Sequence, residues 1–507
     1  MVRFELWIEK IRNPKSKMKK RRKNKMRPLL IFLSIFFIQS GIVFARTINP
    51  PTEIKVVQGE ANSFNISWKP PAEPKIAGYF YKLDQQPQIN WTDRQYIKNL
   101  RVAGTGIHKL YLAGCDSEGN VSAYQIVEFS YQAKTPKGGE ISMTPPTSYA
   151  AGGSPGIIAV GDVNGDGLND VVSANYYDNN ISVFIQLPDG KLATQTTYPV
   201  NQGPFGVGIG DLNRDGLNDV IVGCAAADVI HVFTQNEGGT LTQSAVFRTE
   251  RAPYGLAVGD VNGDGKNDIV IPNSGASSIS IFTWVPDVKE SYDYLLGSFK
   301  KCESLTMQKQ EKEIFAHIVY AAGAIPYWLA IGDINGDYRE DIATVNYGNS
   351  TINVYFQQPD KSLLPMGALQ TAGGGVFNVC LGDITGEGLN EIITSGGPPS
   401  IFGRKDNTSF GLIGTATTKE GRVGAVRVGD INNDGKGDLV ATNADTISIY
   451  LQDKTGKLLP PTHHPTGKTP GGLAIADVNN DGVNDIITGN INDNSISVLH
   501  PVWKENR

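Results

Sequence analysis

A nine-residue acidic motif recurs seven times in this 507-residue sequence, and it limits the possible fold more than any other feature. The starts of the copies lie 47–50 residues apart, except for 73 residues between the third and fourth copies. A regular period of this length is typical of propellers and other repeat architectures. The long gap predicts an insertion at about 287–313, rich in Lys and Glu, that forms a mobile flap or a short helix. The copies follow the pattern D-x-N-x-D-G-x-x-D and begin at Asp162, Asp211, Asp260, Asp333, Asp383, Asp430 and Asp477.

Short apolar segments surround each motif and indicate strands. In the first repeat they are Gly156–Gly161 before the motif, Asp170–Asn175 at its end and Ile181–Phe184 further on. A fourth segment, Leu192–Tyr198, follows a Pro/Asp/Gly turn. Four strands in roughly 40–50 residues is the size of a propeller blade. The sequence therefore predicts an all-β chain with a seven-bladed β-propeller.

The last repeat lacks a fourth strand of its own. Its third strand is Ile496–Leu499, after which only eight residues remain. The earlier segment Ile141–Ala150 resembles Leu192–Val200, the fourth strand of the first repeat. We therefore expect Ile141–Ala150 to cross back, complete the last blade and close the ring.

The acidic motifs predict calcium sites. Ca²⁺ takes 6–8 oxygen ligands, and the motif offers side chains at positions 1, 3, 5 and 9 and a carbonyl at position 7. Glycine at position 6 permits the sharp bend of such a loop. Zinc is disfavoured because the motifs contain no His or Cys. The predicted ligands are Asp162, Asn164, Asp166, Leu168, Asp170, Asp211, Asn213, Asp215, Leu217, Asp219, Asp260, Asn262, Asp264, Lys266, Asp268, Asp333, Asn335, Asp337, Arg339, Asp341, Asp383, Thr385, Glu387, Glu391, Asp430, Asn432, Asp434, Lys436, Asp438, Asp477, Asn479, Asp481, Val483 and Asp485.

Electrostatics supports bound cations. Two carboxylates at about 4.5 Å repel each other by about 4 kcal/mol at an effective dielectric constant near 20, and each motif has acids at positions 1, 5 and 9. The alternative is an Asx-rich turn without an ion. The copies also differ. Tyr338 replaces the glycine of the fourth copy, and the fifth has Thr385, Glu387 and Glu391, so we expect about six or seven ions, with the fifth loop the weakest site.

These loops, with the G-[VIL]-x-[VI]-G-D strands that lead into them, resemble the FG-GAP/VCBS repeats of integrin α-subunit heads and many secreted bacterial proteins. The resemblance extends over about Gly139–Val502. It implies structural calcium in the turn between the first two strands of each blade, on one face of the ring. It also implies that the opposite face and its rim bind partners.

Two further regions precede the repeats. Residues 46–132 resemble a fibronectin type III-like β-sandwich, with Trp68 in a Trp-Lys-Pro-Pro pattern, and 133–140 is a linker to the propeller at 141–507. Residues 1–45 have a basic segment followed by the apolar run Leu29–Phe44, as in a secretory signal peptide. An uncleaved anchor and a start codon further along, at Met18 or Met26, remain open. The signal predicts a secreted or cell-surface protein.

Charge and motifs favour a binding protein over an enzyme. Residues 46–507 carry 34 Lys/Arg and 49 Asp/Glu, a net charge of −15, which argues against nucleic-acid binding. Gly152–Gly156 matches G-x-S-x-G, but a strand instead of a helix follows, so we assign no catalytic residue. We expect a calcium-binding adhesion module for an extracellular protein or glycan. The alternatives are a polysaccharide lyase and a purely structural envelope module.

Overall fold

The computed structural model describes twelve stretches of the chain. They are residues 49–58, 63–71, 76–83, 90–92, 95–101, 106–116, 122–131, 140–284, 304–310, 313–405, 410–416 and 423–503. The signal peptide predicted at 1–45 and residues 133–139 of the linker predicted at 133–140 lie outside these residues. All regular elements in the described part of the chain are strands. No helix among these residues has the length and apolar character needed to cross a membrane.

The first seven strands form two sheets around an apolar core. One sheet has the order β1-β2-β5 and the other β4-β3-β6-β7. Trp68 is buried between them and its ring lies 4.9 Å from that of Tyr79, edge to face. The strands are β1 Thr52–Gln58, β2 Ser63–Lys69, β3 Ile76–Leu83, β4 Asn90–Thr92, β5 Tyr96–Arg101, β6 Gly106–Asp116 and β7 Gln125–Tyr131.

The acidic repeats form a series of antiparallel sheets, which we call the repeat sheets and number from the first to the seventh in chain order. Each consists of four strands in sequential order, except where noted below. The strands are β8 Ile141–Met143, β9 Thr147–Ala150, β10 Pro155–Gly161, β11 Asp170–Asn175, β12 Asn180–Phe184, β13 Thr196–Pro199, β14 Pro204–Gly210, β15 Asp219–Cys224, β16 Val229–Gln235, β17 Leu241–Arg248, β18 Ala257–Gly259, β19 Asp268–Asn273, β20 Ser278–Trp284, β21 Ser304–Gln310, β22 Glu313–Ala321, β23 Pro326–Gly332, β24 Asp341–Asn346, β25 Thr351–Gln357, β26 Leu363–Gln370, β27 Val379–Gly382, β28 Glu391–Thr394, β29 Ser400–Arg404, β30 Phe410–Thr415, β31 Val426–Gly429, β32 Asp438–Thr442, β33 Thr446–Tyr450, β34 Thr462–Pro465, β35 Pro470–Ala476, β36 Asp485–Asn490, β37 Ser495–Leu499 and β38 Pro501–Trp503.

The repeat sheets pack against one another through their first strands. The first strand of each sheet contacts the first strand of the next, from β10 to β35. Strand β35 in turn contacts β10, so the series returns to its start. The second strands are buried along their whole length, and Val, Ile, Leu and Phe side chains fill the space between sheets. This arrangement confirms the predicted β-propeller architecture.

The seventh repeat sheet is completed by a strand from the start of the region. Strand β9 pairs antiparallel with β37, with Tyr149 opposite Ile496. This confirms the crossing predicted for Ile141–Ala150. The segment contributes two strands rather than one, because β8 pairs separately with β38, where Ile141 is opposite Trp503. Both ends of the repeat region are therefore joined by backbone hydrogen bonds.

The third repeat sheet differs from the prediction for the insertion. Its order is β18-β19-β20-β22-β21, so it has a fifth strand on its outer edge. Strand β21, Ser304–Gln310, falls within the expected insertion at 287–313. The expectation of a flap or helix is wrong for this segment, because the outer edge of β22 offers backbone groups with which it pairs. The remainder of the insertion, 287–303 and 311–312, lies outside the described residues.

Candidate metal centres

Each acidic motif is the turn between the first and second strands of a repeat sheet. In the first repeat, Asp162 directly follows β10, and Asp170 is the first residue of β11. The same holds in every repeat: the last acid of the motif begins the second strand. Because the sheets have the same strand order, all seven loops lie at the same end of their sheets. The last acids are Asp170, Asp219, Asp268, Asp341, Glu391, Asp438 and Asp485.

The first loop is folded around the side chain of its first residue. Asp162 Oδ1 accepts hydrogen bonds from the backbone N–H groups of Asn164 and Gly165, at 3.2 and 2.6 Å. Its Oδ2 accepts one from Gly167 N–H at 2.8 Å. Asn164 Oδ1 accepts from Asp166 N–H at 2.9 Å, and Asn164 Nδ2 donates to Asp166 Oδ2 at 2.9 Å. Positions 1, 3 and 5 thus form one connected group of oxygen-bearing side chains.

The bend at position 6 is shared by all seven loops. The N–H of the sixth residue donates to Oδ2 of the first aspartate at 2.7–2.9 Å in every copy. This geometry requires a positive φ, which is 80° to 86° at the six glycines. The pattern explains why glycine recurs there, since only glycine adopts such angles without strain. Tyr338 holds the same position with φ 65°.

The last acid of each motif is buried, and in four repeats it joins the start of its loop to the end of the third strand. Asp219 is fully buried; its Oδ2 accepts from Leu212 N–H at 3.1 Å and its Oδ1 from Gln235 N–H at 3.1 Å. Burial raises the pKa of Asp170 and Asp219 to about 7 and that of Asp341 to about 8. Burial also raises the pKa of Glu391 to about 7. Removing a carboxylate from water without a cation nearby is costly, and these shifts reflect that cost.

The donor chemistry of the loops fits a hard cation. Each loop brings together carboxylate, amide or hydroxyl, and backbone oxygens, the ligand types that Ca²⁺ takes. Within the described stretches, no group of three or more His, Cys, Asp and Glu side chains is already arranged as a metal cage. The carboxylate oxygens instead accept backbone N–H groups, which uses only part of their acceptor capacity. The predicted ligands therefore fit calcium by chemistry and burial, and calcium binding remains a prediction.

Several loops depart from the common pattern, including the seventh, where His500 Nδ1 lies 2.7 Å from Asp485 Oδ1. In the third, Asn262 Nδ2 donates to Asp268 Oδ1 at 3.1 Å, so its amide turns toward the last acid. In the fourth, Arg339 forms an ion pair with Asp337 at 2.7 Å, which places a side-chain cation beside a predicted ligand. In the fifth, the Thr385 hydroxyl donates to a Glu391 carboxylate oxygen at 3.1 Å.

An asparagine at position 8 links neighbouring loops, and our sequence reasoning missed it. Its side-chain N–H donates to the backbone carbonyl of the first aspartate in the preceding loop, at 2.8–3.0 Å. Asn169 reaches Asp477 O in this way and so connects the first repeat to the seventh. In the fourth repeat Glu340 stands there, and its carboxylate accepts from Asp260 N–H at 2.5 Å. The signal was present in the sequence, as the recurring Asn before the last acid. The five asparagines are Asn169, Asn218, Asn267, Asn390 and Asn484.

The end of the repeat sheets that carries the acidic loops, which we call the loop face, is contacted by residues of the N-terminal region. The ring of Tyr124 is 4.6 Å from that of Tyr338 in the fourth loop. Burial lowers the pKa of Lys82, and the nearby carboxylates of Asp333 and Asp383 oppose this shift. Burial, with a contribution from Asp211, raises the pKa of Tyr81 to about 12. Tyr338, at position 6 of the fourth loop, therefore makes a ring contact with Tyr124 that glycine could not make.

We expect Tyr338→Gly to uncouple the N-terminal sheets from the repeats while sparing the propeller. Glycine removes the strain of a positive φ but also the ring contact with Tyr124, worth about 0.5–1.5 kcal/mol. Limited proteolysis should cleave the 133–140 region faster, while the main calorimetric transition stays within about 2 °C of wild type. Tyr338→Phe keeps the ring and serves as the control. Equal cleavage rates for Tyr338→Gly and wild type would contradict the assigned role.

Comparison with known proteins supports the repeat assignment. A family model described as FG-GAP-like repeat matches residues 162–222, 211–271 and 403–488. No curated protein matches the sequence. The matched ranges contain FG-GAP-like repeats, and together with the repeated four-stranded sheets they support the FG-GAP β-propeller part of the resemblance.

Several solved structures share a distant likeness. A functionally unknown protein from Desulfotomaculum acetoxidans DSM 771 is 12% identical, with TM-score 0.41, over 58% of this chain and 79% of its own. A putative 6-phosphogluconolactonase from Bacteroides fragilis NCTC 9343 is 15% identical, with TM-score 0.45, over 79% and 99%. The Cps50 (Swd1) β-propeller domain of Myceliophteria thermophila is 10% identical, with TM-score 0.43, over 70% and 98%.

Proposed function

We propose that this chain is a secreted or cell-surface seven-bladed propeller that binds structural calcium and acts as a binding or adhesion module for an extracellular protein or glycan. One observation carries the proposal. The last acid of all seven loops is at most 4% exposed, although burial strongly favours its neutral form. A divalent cation in each loop offsets that cost. The closed series of first-strand contacts supports seven blades.

Calcium in these loops has a structural role. In an intact loop it would be held by the side chains at positions 1, 3, 5 and 9 and by the carbonyl at position 7. The bound ion supplies positive charge beside three acids. The chain's own groups hold the loop in shape: the first aspartate fixes the bend, and in four repeats the last acid ties the second strand to a residue at or just after the end of the third. A rigid ring of this kind displays its connecting loops for recognition.

The proposal also assigns a fold and a role to the two regions that precede the repeats. The two N-terminal sheets with Trp68 in their shared core support a fibronectin type III-like sandwich at 46–132. A basic segment followed by an apolar run supports export through a signal peptide at 1–45. We assign the sandwich a spacer role, since its described contacts with Tyr338 lie on the loop face.

Counting bound calcium in the secreted protein tests this proposal. The protein is purified from culture medium, passed through a desalting column and analysed for metals. We expect about six or seven calcium ions per chain. Asp211→Asn should lower the count by about one, whereas Asp383→Asn in the fifth loop should lower it by less. A count below about one ion per chain, or retention of the protein in the cytoplasm, would contradict the proposal.

A further inference from the structure

Lys82 belongs to the side of its sheet that points away from the core of the N-terminal sandwich. In the pairing of β3 with β6, Lys82 is opposite Tyr111. Their neighbours Leu83 and Leu110 are also opposite each other and lie in the apolar core with Trp68. Because successive side chains of a strand point to opposite faces, Lys82 and Tyr111 share the outer face of the sheet.

Side chains on this outer face are nevertheless buried. Lys82 is 8% exposed, and Ala113 and Cys115 of β6 are 0% and 4% exposed. Ala113 and Cys115 follow Tyr111 at intervals of two residues, so they share its face. Since the core lies on the other side of the sheet, a different part of the chain covers these residues. We call Lys82, Tyr111, Ala113 and Cys115 the docking face.

Aromatic contacts connect the docking face to the loop face of the propeller. The ring of Tyr111 lies 6.5 Å from that of Tyr124, and the two rings meet edge to face. The ring of Tyr124 in turn lies 4.6 Å from that of Tyr338 in the fourth loop. The docking face is therefore buried on the side where the fourth acidic loop lies.

Lys82 brings a positive charge to two neighbouring loops. Burial lowers its pKa, and the negative charges of Asp333 and Asp383 act in the opposite direction, so both carboxylates lie near its ammonium group. Asp333 and Asp383 are the first acids of the fourth and fifth loops, whose bends they hold. The two loops adjoin, because Asn390 Nδ2 of the fifth donates to Asp333 O at 2.8 Å. A buried ammonium group is costly unless carboxylates compensate it, so Lys82 and these acids stabilise one another.

The fourth loop also has a cation of its own. Arg339 Nη1 lies 2.7 Å from Asp337 Oδ2, and Asp337 is the predicted ligand at position 5. Arg339 and Lys82 together neutralise part of the acid charge of the fourth and fifth loops. A calcium ion in either loop would add two positive charges beside them, and like charges repel.

We propose that docking of the N-terminal sheets and calcium binding at the fourth and fifth loops oppose each other, with Lys82 as a tethered cation that competes with the metal for the same acids. Linkage makes the effect reciprocal: docked Lys82 weakens calcium binding, and calcium weakens docking by the same factor. The two loops therefore fill at higher calcium concentrations than intact loops far from Lys82. This inference rests on the proposed calcium binding and adds a regulation of those sites.

Calcium titration of the full-length secreted protein, in competition with a chelator of known affinity, tests the effect of Lys82 on the metal. Lys82→Met removes the charge and keeps an unbranched side chain. We expect its weakest sites to bind calcium about ten-fold more tightly than those of wild type. Lys82→Arg keeps the charge and should resemble wild type. Lys109→Met is the matched control and should leave calcium affinity unchanged, because Lys109 lies in the same sheet, pairs with Glu128 and is 48% exposed.

Thiol labelling of Cys115 tests the effect of calcium on docking, since this side chain is buried on the docking face. Mass spectrometry of the peptide that contains Cys115 separates its labelling from that of other cysteines. Raising free calcium from the level that fills the tight sites to saturation should speed labelling about ten-fold in wild type. The same change should have little effect in Lys82→Met, where no tethered charge opposes the metal.

Two results would overturn the inference. One is a Lys82→Met protein that binds calcium like wild type at every site, and the other is a wild-type labelling rate of Cys115 that does not respond to calcium. Lys82→Gln provides the same comparison if Lys82→Met fails to fold. Normal calcium binding with either result rejects this inference alone, whereas a protein that binds no calcium rejects the proposed function as well.

Discussion

Deletion of residues 141–150 is expected to lower the melting temperature of the calcium-loaded protein by about 10 °C or more. The deletion removes β9 and β8, which pair with β37 and β38. It exposes Ile496 and Val498, now 0% and 2% exposed, and leaves the outer edge of the seventh sheet unpaired. Each large apolar side chain brought into water costs about 1.5–3 kcal/mol, and the lost Ile141 adds to this.

A rescue experiment and a control variant accompany this deletion. A synthetic peptide with the sequence of residues 141–150, added in excess, should restore part of the lost melting temperature, since it supplies the missing strands. Thr147→Ala at an exposed position of β9 is the matched control and should change stability little. If calorimetry places the deletion variant within about 2 °C of wild type, closure by this segment does not stabilise the ring.

The metal-free protein is expected to lose stability as the pH rises from about 4 to about 8. The pKa of Asp170 and Asp219 is about 7 in the folded chain and that of Asp341 about 8, against an ordinary value of 3.8. The folded state therefore binds more protons than the unfolded state in this interval. The stabilisation that these groups give the folded state is complete at a pH below their ordinary pKa, and it is lost as the pH rises through 7 to 8.

Urea unfolding of chelator-treated protein at pH 5 and pH 8 measures this effect. The free energy of unfolding should be lower at pH 8. Calcium-loaded protein is the control: cations compete with protons for the same carboxylates, so calcium should stabilise more at pH 8 than at pH 5. If the metal-free protein were equally stable or more stable at pH 8, burial would not raise the pKa of the last acids.

The sequence predicted the features that depend on local pattern. The period of the motif, the glycine at position 6 and the alternating apolar segments were enough for the propeller architecture and for the strand that crosses back to β37. Strand β21 was missed because its structure depends on pairing with the distant edge of β22. Seven blades and the calcium sites follow from the same pattern and remain predictions.

Other features could not be read from the sequence because they arise between repeats. The side chain of Asn169 acts on the carbonyl of Asp477, 308 residues away, which is adjacent only after the ring closes. From the sequence, Tyr338 was noted only as a replacement for the glycine of a calcium loop, yet it packs on Tyr124, the residue just before β7.

Thermal unfolding with calcium and with excess EDTA, both at pH 7.5, tests the central claim most directly. A ligand that binds only the folded state stabilises it. Each site adds about 2.7 kcal/mol when the free ligand concentration is one hundred times the dissociation constant. With six or so sites, calcium should raise the melting temperature by about 15 °C or more, and magnesium at the same concentration should have a much smaller effect. Equal melting temperatures in calcium and EDTA would contradict the account.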